Sequence, residues 1–208
     1  HRYYSHKSFE FRSRIVKYIF TLISVLSARG TPRAWALVHR THHATADTED
    51  DPHLPDKFSI FRFTKAFNTK MKLFLIRDMM TKEQEVIHNY YILVLICWCI
   101  LLGSISFNLL YFSWVLPVFL NQISQNAWNY FSHLDVGYRN FNTKDNSRNL
   151  FILWPFILGE AWHNNHHHYA VTAKAGFYWW EIDITYYLLV FMSWFGIVKD
   201  LRPLPKEI

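Results

Sequence analysis

The polarity pattern is dominated by one stretch without charge. From Val86 to Leu134, 49 consecutive residues include no Asp, Glu, Lys or Arg, and the most apolar part runs from Tyr90 to Leu120. As a single helix it would extend about 73 Å, against a hydrocarbon core of roughly 30 Å. The pattern therefore predicts two membrane spans, a hairpin over about residues 88–130 that reverses at Gly103–Asn108. Two crossings return the chain to the side it left, so everything before Glu85 and after Asp135 is expected on one membrane face. Lys65, Lys70, Lys72, Arg77 and Lys82 precede the hairpin, and Arg139, Lys144 and Arg148 follow it. That excess of positive charge predicts a cytoplasmic location for the shared face.

Two shorter apolar stretches, Ile15–Ser27 and Ile184–Val198, fall below the ~18 residues of a span and are expected as interfacial or buried helices. Ala44–Lys57, acidic with two prolines, and the polar Asn140–Asn149 are expected as loops. The predicted fold is all-α: an integral, multi-pass membrane protein with a transmembrane hairpin and a cytosolic, histidine-rich helical cap, forming one domain over residues 1–208.

Composition strengthens the membrane reading. Aromatic residues make up 19% of the chain and charged residues only 18%, a balance suited to packed interiors and membrane interfaces. Trp179 and Trp180 are expected as interfacial anchors or packing. The net charge of +6 is spread over several segments, without the basic stripe and interleaved aromatics of a nucleic-acid binder, so no nucleic-acid partner is expected. Cys97 and Cys99 are two residues apart in an apolar run, where a bridge would be strained, and are read as free thiols.

The chemistry is carried by histidine. There are 12, and two triplets share the form HxxHH: His39-Arg-Thr-His42-His43 and His163-Asn-Asn-His166-His167. On a helix this spacing puts i, i+3 and i+4 on one face. With 12 histidines in 208 residues, about 0.04 such triplets are expected by chance. A histidine taken alone is most often a hydrogen-bonded core or surface residue. Clustered protonated imidazoles would repel one another, so neutral rings holding a transition metal are the economical reading. His1 and His6 form an HxxxxH pair, about 140° apart round a helix, which suits a helix end touching two metals; this points to a dinuclear centre. A carboxylate-bridged di-iron bundle is the rival, with Glu85-Val-Ile-His88 and Glu160-Ala-Trp-His163 as its paired motifs. It places His88 at the membrane edge and leaves both triplets unused. Glu49, Asp50, Asp51 and Glu160 are candidates to receive the second N–H of a ligand imidazole, the first three being equally readable as a solvated acidic loop; His53 is expected as a loop residue or a support, and His88 as interfacial.

HRYYSHKSF, HRTHH followed by DTEDDPH, NYFSHLDVGYR, GEAWHNNHHH and WWEIDIT occur in this order. Together they resemble the membrane-bound fatty acyl desaturases, the HxxxxH form of the first box being more similar to the Δ9, stearoyl-type branch. The resemblance implies two iron ions held on the cytosolic side by His1, His6, His39, His42, His43, His133, His163, His166 and His167, with Asn129 as a water-mediated ligand. It also implies insertion of a cis double bond, at Δ9, into a saturated acyl chain carried by CoA, acyl-carrier protein or a lipid, using O2 and two electrons. No heme-, flavin- or iron–sulfur-binding motif is present, so the electrons are expected from a partner such as cytochrome b5 or a ferredoxin. The family carries two more spans ahead of its first box, which makes an N-terminally truncated fragment the expectation. A fatty acid or carotenoid hydroxylase on the same boxes is the second enzyme reading. A membrane metal transporter or sensor is the reading of another class, disfavoured because such ligands would lie near the midplane of a span.

Overall fold

The computed structural model describes residues 1–54 and 72–206. Residues 55–57 of the expected acidic loop, and Lys65 and Lys70 of the positive flank, lie outside the described residues. The described chain is mostly helical. It begins with a run of turns over residues 1–6, a two-residue strand β1 (Glu10–Phe11), and helices α1 (Arg14–Leu26) and α2 (Pro32–Thr45). A short 3₁₀ segment, Leu73–Met79, leads into α3 (Lys82–Ile105). A second helical run covers residues 107–131: α4 (Phe107–Leu110), a π-helical turn Tyr111–Val115, and α5 (Leu116–Phe131). Loops then lead to α6 (His163–His168), α7 (Ile184–Trp194) and the strand β2 (Val198–Lys199).

The helix starts obey local chemistry. Thr31 accepts a hydrogen bond from the Ala34 N–H ahead of Pro32, Thr81 accepts from Gln84, and Asp183 accepts from Tyr186. Each supplies an acceptor for an amide that the first helical turn leaves without a partner. Ser106, extended at φ −168°, ends α3.

Of the two expected spans, one is found in full. Among the described residues, α3 alone is long and apolar enough to cross a membrane, and only Gln84 and Leu102 of its 24 residues are buried. The second limb is helical over a similar length, but the π-helical turn divides it, as wide turns in otherwise regular helices do. The exposed apolar surface continues from α3, through Ile92, Ile96 and Ile100, to Phe107, Phe112 and Phe119. Helix α1 is inside-out in the same sense, with Thr21 and Val25 buried and Ile15, Ile19, Leu22 and Ile23 exposed.

The all-α expectation is corrected in one respect. β1 and β2 pair antiparallel, Glu10 with Lys199 and Phe11 with Val198, joining two segments almost the whole chain apart. The expected helix over Ile184–Val198 ends at Trp194, and Val198 belongs to this ribbon. His1 and His6 sit on turns rather than at a helix end. Beside the ribbon, Phe9, Leu189, Met192 and Val198 form one buried cluster. A second, of Trp128, Leu150, Ile157, Ala161, Trp162 and Ala175, lies behind the third histidine segment.

Candidate metal centre

Helix α2 presents His39, His42 and His43 from one face, α6 presents His163, His166 and His167, and the turns at 1–6 and after α5 bring His1, His6 and His133 to them. The nine rings form two groups. In the first, ligand atoms of His1, His6, His39 and His166 all lie within 4.8 Å of one another; in the second, those of His42, His133, His163 and His167 do. His43 borders both, its Nε2 3.0 Å from that of His39 and 3.0 Å from that of His166, its ring stacked on His167 at 4.3 Å. His168 belongs to neither group: it is exposed and lies flat on Phe141, ring centroids 4.3 Å apart.

The outer edges of these rings are held by carboxylates. His1 Nδ1 donates to Glu160 at 2.8 Å, His42 Nδ1 to Asp51 at 2.9 Å, His167 Nδ1 to Asp145 at 2.9 Å, and His133 Nδ1 to Asp47 at 3.1 Å. The sequence reading named Asp51 and Glu160; it missed Asp47 and Asp145, which sit in loops with no periodic signal. Glu49 and Asp50 are exposed. A proton fixed on Nδ1 leaves a lone pair on Nε2. His42 and His167, each anchored in this way, face one another with Nε2 atoms 3.2 Å apart. Two lone pairs at that distance repel, and a cation between the rings relieves the repulsion.

Protonation does not relieve it. Burial drives the pKa values of His6, His39, His42, His43, His163 and His166 well below 6.5, and the neighbouring imidazoles add to the effect. His167 is lowered by burial too, against the pull of Asp145. On Asp145 and Glu160 burial acts upward, but their imidazole partners, and Arg2 for Glu160, outweigh it and hold both carboxylates ionised. The set is thus neutral, nitrogen-rich, convergent and backed by anions, which fits a transition metal.

A second layer fixes the carboxylates and the third box. Arg2 is buried and donates to both oxygens of Asp183, to Glu160 and to the Ala173 carbonyl. Glu181, also buried, accepts from Tyr138, Asn140, Asn165 and the Phe177 amide. Asn164 and Asn165, between the histidines of α6, are fully buried and bonded to residues 140, 141 and 149. None of these was legible as functional. The signal lay in WWEIDIT, whose two acids fall in an otherwise apolar stretch.

The rival bundle is not assembled: His88 lies 3.2 Å from Thr31 Oγ1, outside both histidine groups, and Glu85 is exposed. His53 packs edge-on against His42 at 5.2 Å, and burial lowers it to about 4. Asn129 donates to the His53 carbonyl at 3.4 Å and lines a cavity of about 310 Å³ that also touches His1, His39 and Glu160.

The comparisons agree with this architecture. The fatty acid desaturase family model matches residues 1–190. Over the whole chain, identity is 31% to Delta-9 desaturase-like 4 protein of Arabidopsis thaliana and 32% to sn-1 stearoyl-lipid 9-desaturase of Synechocystis sp., covering 71% and 66% of those proteins. It is 33% to sn-2 palmitoyl-lipid 9-desaturase of Nostoc sp., covering 76% of that protein. Extended over nearly the full length of the described histidine framework, this similarity means that the chain belongs to the fatty acid desaturase family, a membrane-associated family of oxidoreductases.

Proposed function

We propose that the chain is a Δ9 fatty acyl desaturase, inserting a cis double bond into a saturated acyl chain with O2 and two external electrons. The observation that carries this is the pair of four-histidine groups bordered by His43, in a chain whose relatives are lipid 9-desaturases. Two iron ions, one per group, suit the donor set, and Asn129, in the wall of the cavity that His1 and His39 also line, is the water-mediated ligand that the family resemblance implies. When bound, the metal supplies the oxidising power to remove hydrogen from an unactivated methylene, which no side chain has. The chain's own residues hold the imidazoles neutral, fix their tautomers through Glu160, Asp51, Asp47 and Asp145, and bury the site away from bulk water.

The two helical limbs form the expected hairpin in this reading. Ser106 is then the point of reversal, and α2 with the turn that follows it supports this by meeting both ends: Arg40 in α2 binds Asp78 just before α3, and Asp47 in the turn binds His133 just after α5. The active site then lies on one face, the cytoplasmic one by the charge rule. The acyl carrier is a glycerolipid, following the named substrates of the cyanobacterial relatives. The electron donor is an acidic redox protein of the cytochrome b5 or ferredoxin kind. An open cleft supports this: Lys7, Arg77 and Arg202 are exposed round it, and His6 lies in its wall.

Expression of the full-length gene in a desaturase-deficient host, with the double-bond positions of its lipids determined, tests the proposal. A Δ9 monoene supports it. Hydroxy acids at the same carbon would favour the hydroxylase, and metal flux with unchanged lipids a transporter.

A further inference from the structure

The cavity beside the histidines is not lined as a plain hydrocarbon slot. Ser24, Ser27, Asn121 and Gln125 face it, and so does Arg29. The Arg29 guanidinium lies over the Trp35 ring at 5.0 Å, and Trp35 in turn is parallel to His39, four residues along the same helix. Among the described residues Arg29 has no carboxylate partner and no hydrogen bond, and its Nη1 atom is buried. A guanidinium does not lose its proton at neutral pH, so Arg29 is a cation.

Its depth makes this costly. The adjoining Gly30 amide donates to the Tyr91 hydroxyl at 3.0 Å, and the Leu26 carbonyl accepts from Trp114 Nε1 at 2.6 Å. Tyr91 is nine residues into α3, about 13 Å along it, where the helix is already apolar. The loop carrying Arg29 is therefore level with the apolar band. A half-buried guanidinium at this level, with a buried N–H group left without an acceptor, is expensive, and such residues mark sites of function. Arg2 shows the alternative within the same molecule: more deeply buried than Arg29, it is saturated by Asp183 and Glu160.

We infer that Arg29 is a specificity determinant, a donor fork that takes an oxygen acceptor carried by the acyl substrate as it lies in the cavity. This rests on the desaturase reading and goes beyond it, since that reading requires only an apolar slot. The acceptor is a carboxylate, phosphate or comparable oxygen, for which the planar guanidinium is suited. It belongs either to the head-group end of the substrate or to an oxidised position on the chain.

Both sources can be separated with the full-length protein in nanodiscs, measuring binding to wild type, Arg29→Gln and Arg29→Lys. One pair of probes is stearate and octadecanedioate, which differ in a distal carboxylate. The other is distearoyl phosphatidylglycerol and distearoyl monogalactosyldiacylglycerol, which differ in head-group charge. In one pair the member with the additional anionic group, octadecanedioate or distearoyl phosphatidylglycerol, should bind wild type about tenfold or more tightly. Arg29→Gln should abolish the difference and Arg29→Lys should retain part of it, with metal content near wild type in both. The pair that responds identifies the source. Equal binding of both members of both pairs to wild type, which needs no variant to fold, would overturn the inference, as would an undiminished preference in Arg29→Gln. Desaturation of plain stearoyl lipid by wild type tests the underlying reading separately.

Discussion

His167 and His168 are adjacent and chemically identical, yet one faces His42 and the other lies on Phe141 at the surface. The ligand assignment therefore predicts opposite outcomes for the same substitution. His167→Gln should strip iron and abolish activity, a loss beyond the roughly 10- to 100-fold typical of a supporting residue. His168→Gln should keep iron near the wild-type level; metal analysis of the two purified variants decides it. This contrast was legible in the sequence, because i, i+3 and i+4 share a helix face and i+5 does not. Asp47 and Asp145 were not, because a loop carboxylate reaches its imidazole through tertiary folding that leaves no spacing to read. Arg29 escaped for the same reason: its lack of a partner is visible only once its neighbours are placed.

At the level of elements, one tight joint is where Gly159 meets the start of α7. Gly159 has φ +103°, and a Cβ there would collide with the Asp183 side chain, which caps α7, binds Arg2 and accepts from the Ala175 amide. Gly159→Ala should cost about 1–3 kcal/mol from backbone strain alone, and more if Asp183 is displaced. A lowered thermal midpoint in detergent, with weaker metal retention because Glu160 shares Arg2, is the expected result. Helices α1 and α3 were legible from apolar runs and α2 from its HxxHH spacing. The two-residue strands were not, since neither Glu10–Phe11 nor Val198–Lys199 is long enough to show alternation. The π-helical turn also left no mark in the polarity pattern, which records side chains and not backbone hydrogen bonds.

For the molecule as a whole, pH dependence follows from the buried imidazoles. The pKa values of His39, His42 and His163 lie below 6.5 in the folded state, so an unfolded chain binds protons that the folded one refuses. Stability is then complete above pH 6.5 and falls as the pH drops below it. Thermal midpoint and bound metal should both be lower at pH 5.5 than at pH 7.5, and higher stability at pH 5.5 would contradict the placement of these rings. The hairpin predicts that tags at residues 83 and 145 report the same compartment; opposite compartments would refute it. The distance along the chain between His1 and His166, 165 residues, also sets a schedule for synthesis. At about 5–20 residues per second, the first box emerges roughly 8–33 s and the second roughly 6–25 s before the third. During that interval His39, His42 and His43 are an open imidazole cluster, and Zn²⁺ and Cu²⁺ bind such donors more tightly than Fe²⁺. Correct loading therefore depends on which metals the nascent chain meets before its last histidines arrive, and mis-metallation is a hazard built into the order of the boxes.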